Sequence, residues 1–153
     1  MSLVSELSAD VPEFSLTNRT LQGKVVSCYD GDTADIVLPL GDQYWKFKCR
    51  MLGYNSPEMK PLKTKVGREE EKIAALKSKQ AVMSELCDSV DISKMYTNRE
   101  LDECVGRNRR ILQIQCHEFD KYGRVLVTIR RHSSEETIND WMVRNGYAIK
   151  YVL

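Results

Sequence analysis

The sequence predicts an α+β chain that is mainly β: five short antiparallel strands closed into a small barrel, with a long helix after the third strand and a short helix after the fifth. Three observations carry this. Apolar residues alternate with polar ones in five separate runs between Leu21 and Ile129, the period of two that marks half-buried strands. A proline-free stretch of helical spacing separates the third run from the fourth. Glycine-containing polar turns, Asp30-Gly31, Gly41-Asp42 and Asp120 to Gly123, stand between neighbouring runs, where a chain reverses into a hairpin.

Residues 1–20 are mixed and polar and are expected to form an N-terminal arm, ahead of a single domain over 21–153. The runs LQGKVVSCY and ADIVLPL flank DGDT, an Asp-Gly hairpin signal, and Ala34, Ile36, Leu38 and Leu40 alternate in the second run. In YWKFKCRML, Trp45, Phe47, Cys49 and Met51 face one way and Tyr44, Lys46, Lys48 and Arg50 the other. That places Arg50 on a wet, basic face. A helix follows over about Lys65–Ser89, with Ile73, Leu76, Met83, Leu86 and Cys87 on one stripe and Glu69, Glu70 and Glu71 favouring the N-terminal dipole. Residues 91–109 read as a connection holding a short helix through Arg99–Cys104. Alternation resumes through Leu112, Ile114 and Cys116, then Val125, Val127 and Ile129. The pattern Ser133-x-x-Glu136 predicts a capping box for a helix carrying Ile138, Trp141 and Met142, stopped by Asn145-Gly146. The tail AIKYVL is apolar and is expected to dock. Three strands, a helix, two strands and a helix suit a barrel of the OB type.

Composition narrows the class. The chain has 153 residues, 42% hydrophobic and 29% charged, enough for one core and too ordered in composition for a disordered protein. It has no apolar run of membrane-spanning length, and its opening MSLVSELSADVPEF does not read as a secretory signal. The expectation is an intracellular protein, cytoplasmic or nuclear, without a membrane association. Five scattered cysteines with no C-x-x-C pair suit a reducing compartment. A zinc site from Cys87, Cys104, Cys116 and His117 would match no zinc spacing. Net charge is +1, so phosphate binding has to be local, built from a few arginines and lysines on one face.

Three polar clusters sit at strand ends: Asp30 to Thr33, Arg50 with Asn55, Ser56 and Glu58, and Asp120 to Arg124. Each alone is an ordinary turn, and Asp30 is assigned to backbone geometry. Taken together they supply what phosphodiester cleavage requires. Asp32 and Asn55 offer oxygens to a hard cation, Glu58 can act as base, and Arg50 and Arg124 can fork onto phosphate oxygens.

The segments DGDT, RMLGYNSPE, DKYGR and VRNGYA, in that order, resemble the staphylococcal nuclease (thermonuclease) family over about residues 21–153. The resemblance implies an OB-type barrel that hydrolyses DNA and RNA with Ca²⁺ and leaves 3′-phosphate ends. By residue, it implies Asp32 as calcium ligand, Arg50 and Arg124 as phosphate clamps, and Glu58 as general base. It implies Lys121 and Tyr122 as the pair holding the terminal phosphate, and Tyr151 as a base-stacking tyrosine. The family pattern has aspartate then threonine where Asn55 and Ser56 stand. Serine keeps the oxygen and asparagine keeps a carbonyl, but one negative charge is gone, which predicts weaker Ca²⁺ binding or use of another divalent metal.

The leading expectation is therefore a metal-dependent nuclease acting on DNA and/or RNA, single-stranded or unpaired; the sequence gives no evidence for an obligate protein partner. The alternative is a catalytically weak or inactive module of the same family that binds nucleic acid or protein. A third reading, a barrel for protein interaction with no active site, predicts no stabilisation by Ca²⁺ plus a nucleotide 3′,5′-bisphosphate.

Overall fold

The computed structural model describes residues 2–151. A short helix α1 (Leu3–Glu6) precedes a three-strand meander, β1 (Thr20–Cys28), β2 (Thr33–Leu40) and β3 (Gln43–Met51), and a two-residue strand β4 (Tyr54–Asn55). Helices α2 (Arg68–Leu86) and α3 (Asn98–Val105) follow, then β5 (Leu112–Phe119), β6 (Val125–Arg131), helix α4 (Ile138–Arg144) and β7 (Ile149–Lys150). Five strands close a barrel in the order β1-β2-β3-β6-β5, and β4 pairs with β7 beside it. The fold is the α+β, mainly β barrel expected from the pattern, with its long helix after the third strand.

One pairing corrects the antiparallel expectation. The closing pair β3–β6 is parallel, in the register Cys49↔Val125, Arg50↔Leu126 and Met51↔Val127. The reason is parity: an odd number of strands cannot alternate direction all the way round a closed ring. The α2–α3 passage and β5 supply the long crossover that a parallel pair needs.

The barrel interior is apolar, with Val25, Ile36, Leu38, Met51, Ile114, Val127 and Ile129 all buried. The third strand departs from its expected face. Cys49 and Met51 are buried, but Trp45 is 50% and Tyr44 78% exposed. β6 pairs only with residues 49–51, so the first half of β3 runs past the barrel wall and both of its faces meet water. The same overreach explains Ile73, which the stripe placed inside and which is 59% exposed. The buried face of α2 begins at Ala75 and runs through Val82, Met83 and Leu86, because its first turns extend beyond the barrel.

Caps also moved. The box expected at Ser133–Glu136 is not one: Thr137 caps α4, its side chain accepting from the Asp140 N–H at 3.0 Å, and Ser133 sits in a turn at φ 65°. A complete capping box does exist on α3, where Thr97 and Glu100 bond reciprocally at 3.1 and 3.0 Å. Asn145 and Gly146 end α4 as expected, with Gly146 at φ 80°. The segment expected as an arm is partly built into the barrel: Leu16 is fully buried, and Asn18 and Arg19 hydrogen-bond Cys116 on β5 at 3.0 and 2.8 Å. The tail docks through β7 onto β4 and through the Tyr151 N–H to the Gly53 carbonyl at 3.2 Å; residues 152–153 lie outside the described residues.

Two buried polar groups fix helices to this frame. The Asn139 amide of α4 donates to Leu52 and Val127 carbonyls at 2.8 and 3.0 Å and accepts from the Ile129 N–H at 3.0 Å, riveting the seam where β3 and β6 diverge. Lys79 of α2, almost wholly buried, donates to Asn98 at 2.6 Å and Asp102 at 2.7 Å and so ties α3 to α2. All five cysteines are free and buried. No described helix is long and apolar enough to cross a membrane.

Candidate active site

The parallel seam decides where the charged residues meet. Arg50 lies near the end of β3 and pairs across to Leu126, so Arg124, two residues earlier and just before β6, stands at the same end of the barrel. On the other flank β2 starts at Thr33, opposite Arg50, which brings in the loop carrying Asp30 and Asp32. The chain leaving β3 turns back through β4. The result is an open cleft of about 560 Å³ walled by Asp32, Arg50, Asn55, Ser56, Glu58 and Arg124, together with Tyr29, Asp30 and Thr33. The six candidates read from the two strand-end clusters and the DKYGR turn are thus brought together. Lys121 and Tyr122 sit on the turn beside Arg124, outside the cleft wall. Tyr151 is not part of the cleft wall; its N–H bonds the Gly53 carbonyl.

Asp32 is the hub. It is 5% exposed, and its two oxygens accept from the Thr33 hydroxyl at 2.9 Å, Arg50 at 3.1 Å and the Ser56 N–H at 3.0 Å. Arg50 also reaches the Asn55 side-chain oxygen at 2.5 Å and the Tyr54 carbonyl at 3.5 Å. Beneath them the buried Tyr54 hydroxyl donates to the Gly31 carbonyl at 2.6 Å, and burial, with Asp32 nearby, pushes that phenol well above its ordinary range. Glu58 is exposed at the mouth.

Gly31 is needed here for space. Its φ is not positive, but a Cβ on it would lie 2.1 Å from Ser78 Oγ and 2.7 Å from Ser56 Cβ. The Asp-Gly hairpin signal therefore marked a turn for a different reason than the one that made it a signal: α2 packs directly against this loop. Ser56 Oγ and Ser78 Oγ are both buried without a hydrogen-bond partner among the described residues, an uncommon state for hydroxyls.

Asp30 keeps the backbone role expected of it, its carboxylate accepting from the Asp32 N–H at 3.0 Å, yet it also lines the cleft. Burial, and next the Asp32 charge, raise its carboxyl to about 6. Turn chemistry hid this second aspect, since DGDT gives no sign that its first aspartate faces inward. Across the cleft Arg124 donates through Nε to Asp120 at 2.7 Å, and its guanidinium lies 5.2 Å from the Tyr122 ring centre. Lys121 Nζ is also 5.2 Å from that ring. Burial would raise the Asp120 carboxyl, but bonds from the Arg124 backbone and side chain and from the Tyr122 N–H hold it below its ordinary range.

The donors facing the cleft are all oxygens, from Asp30, Asp32, Asn55 and Glu58, with no thiol or imidazole among them. That chemistry fits a hard divalent cation, and the orphaned Ser56 hydroxyl adds an oxygen still without a partner. The described residues contain no cluster of three or more His, Cys, Asp or Glu side chains arranged for a metal.

No curated protein matches the chain. The family model described as staphylococcal nuclease homologue matches residues 48–153. The matched span carries Arg50, Asn55, Ser56, Glu58 and Arg124, while Asp30 and Asp32 reach the cleft from the preceding hairpin. With more than half its length matched and a closed five-strand barrel supporting the cleft, the chain belongs to the staphylococcal nuclease homologue family.

Proposed function

We propose that this nuclease-like chain hydrolyses phosphodiester bonds in DNA and/or RNA, single-stranded or unpaired, with a divalent cation, Ca²⁺ first among them, and leaves 3′-phosphate ends. The observation that carries the reading is the convergence of two arginines and three carboxylates in one open cleft. Arg50 on β3 and Arg124 in the turn just before β6 line the same cleft and can take non-bridging oxygens of one phosphate, where their charge stabilises the transition state more than the ground state. Glu58 is the exposed carboxylate of the set and takes the proton of the attacking water. The water oxygen bonds to phosphorus, the bond to the 5′ oxygen breaks, and that oxygen is reprotonated from solvent. Asp32, Asp30, Asn55 and Ser56 would hold the cation, which supplies charge neutralisation and a more acidic bound water. Arg50 must release Asn55 or Asp32 to reach substrate, so cation and phosphate binding reinforce each other. Lys121 and Tyr122 serve the outer phosphate.

The family's binding-only reading has one observation in its favour. Arg50 is already satisfied by Asp32 and Asn55, as a structural ion pair would be. Cleavage of single-stranded DNA across a Ca²⁺ titration, with chelator, Mg²⁺ and Mn²⁺ controls and a Glu58→Gln variant, decides between them. Calcium-dependent cutting lost in the variant is the expected result. Absence of cutting with every metal, while a nucleotide 3′,5′-bisphosphate still binds, would leave a grip without catalysis.

A further inference from the structure

The part of β3 that outruns the barrel ends in the cleft. Its residues alternate, so Tyr44, Lys46, Lys48 and Arg50 share one face. Tyr44, Lys46 and Lys48 are exposed, and Arg50 is the cleft arginine. The lysine ion pairs among the described residues involve Lys65, Lys72 and Lys79, which leaves Lys46 and Lys48 free. Same-face residues on a strand repeat at about 7 Å, so two unpaired ammonium groups and then an aromatic ring follow the phosphate-clamping arginine in a line of about 20 Å. The far edge of this stretch is open, since β6 pairs with residues 49–51 alone.

From this we infer that the overhanging β2–β3 hairpin is a track for a single nucleic-acid strand leaving the cleft, with Lys48 and Lys46 on successive phosphates and Tyr44 stacked under a base. The inference rests on the proposed reading of the cleft as a phosphodiester site. Charge and continuity favour this occupant: an unpaired basic row joined to an aromatic platform is how single strands are held without sequence preference. The acids of the hairpin set the limits of the track. Asp35 lies across from Lys48 on β2 and repels phosphates from that side, which confines the strand to the open β3 edge; Asp42 lies in the exposed turn beyond Tyr44. A near-neutral chain thereby gains capture length from one local strip.

The test measures binding of fluorescent oligothymidylate of two and of twelve nucleotides, and of thymidine 3′,5′-bisphosphate, to the full chain carrying Glu58→Gln, so that bound strands stay intact, in Ca²⁺ over a salt series, with cutting by the parent protein followed separately. That chain is compared with the same chain also carrying Lys46→Gln/Lys48→Gln or Tyr44→Ala, all at exposed positions that leave melting unchanged. The expected result is a loss of about tenfold in twelve-mer affinity for each variant, with a shallower salt slope, by about 1.4, in the double lysine variant alone. Bisphosphate affinity stays the same. Twelve-mer affinity and slope indifferent to all three residues would overturn the track while leaving cleft hydrolysis standing. Length-dependent binding that responds to Lys46 and Lys48, with a parent protein that cuts nothing, would support the track and sink the hydrolase reading. Self-association that the lysine variants abolish, with oligonucleotide binding untouched, would also overturn it by assigning the strip to a second copy of the chain.

Discussion

Arg50 and Arg124 share one cleft but are held in opposite ways. Arg50 is 19% exposed and is bound by Asp32, Asn55 and the Tyr54 carbonyl. Arg124 is fastened at one nitrogen, Nε on Asp120, with its fork free above the Tyr122 ring. Arg50 is therefore part of the frame that shapes the cleft, and under the proposed function a phosphate has to compete for it. Arg124 is aimed and unoccupied. The difference teaches that equivalent residue types in one site need not be interchangeable: one is built into the frame of the cleft, the other is held at a single nitrogen.

The sharpest way to break this comparison is to truncate each arginine. Arg50→Ala and Arg124→Ala are both expected to lower single-stranded DNA cutting by about 10³-fold. In urea unfolding, only Arg50→Ala should lose appreciable stability, about 2–3 kcal/mol, because it strands the buried Asp32 charge. Arg124→Ala should cost under about 1 kcal/mol. Equal stability losses would dissolve the distinction.

Gly31 sits below the Arg50 side. Gly31→Ala should cost about 1–3 kcal/mol by overpacking, and Ser78→Ala in the same chain should recover part of it, since the nearest clash, at 2.1 Å, is with the Ser78 hydroxyl. Asn55→Asp sharpens the comparison from the metal's side. Restoring a carboxylate should raise Ca²⁺ affinity roughly tenfold, read by calorimetry.

The smallest effect concerns Asp30. Its carboxyl is raised from 3.8 to about 6 in the folded protein, so between those values the folded state binds more protons than the unfolded chain. Stability then falls as pH rises through that window and stays lower above it. In chelator, Asp30→Asn should flatten this slope and melt higher than wild type at pH 7 while matching it near pH 3.5.

Local pattern made the strands legible: alternation in ADIVLPL and in RVLVTIRR set the buried faces of β2 and β6 correctly. What alternation does not report is whether a strand lies over the barrel along its whole length, and for that reason Trp45 and Ile73 were placed inside. The parallel seam was open to an argument from strand number, although no residue signals it. Asp30 was hidden by its own adequacy as a turn residue, and the capping box at Thr97–Glu100 was overlooked in a stretch without a clear apolar stripe. In the site, spacing and resemblance named the residues that meet, but the occupancy of Arg50 by Asn55 depends on the tight return from β3 to β4, which no motif encodes.

That return has a consequence in time. Asn55 lies in β4, whose one strand partner among the described residues is Ile149–Lys150, about ninety residues later in the chain. During synthesis at roughly 5–20 residues per second, the nascent hairpin carrying Arg50 and Asp32 waits several seconds or more before β7 emerges to brace Asn55. The growing polypeptide thus acquires Arg50 and Asp32 early, Arg124 late, and the brace for Asn55 later still.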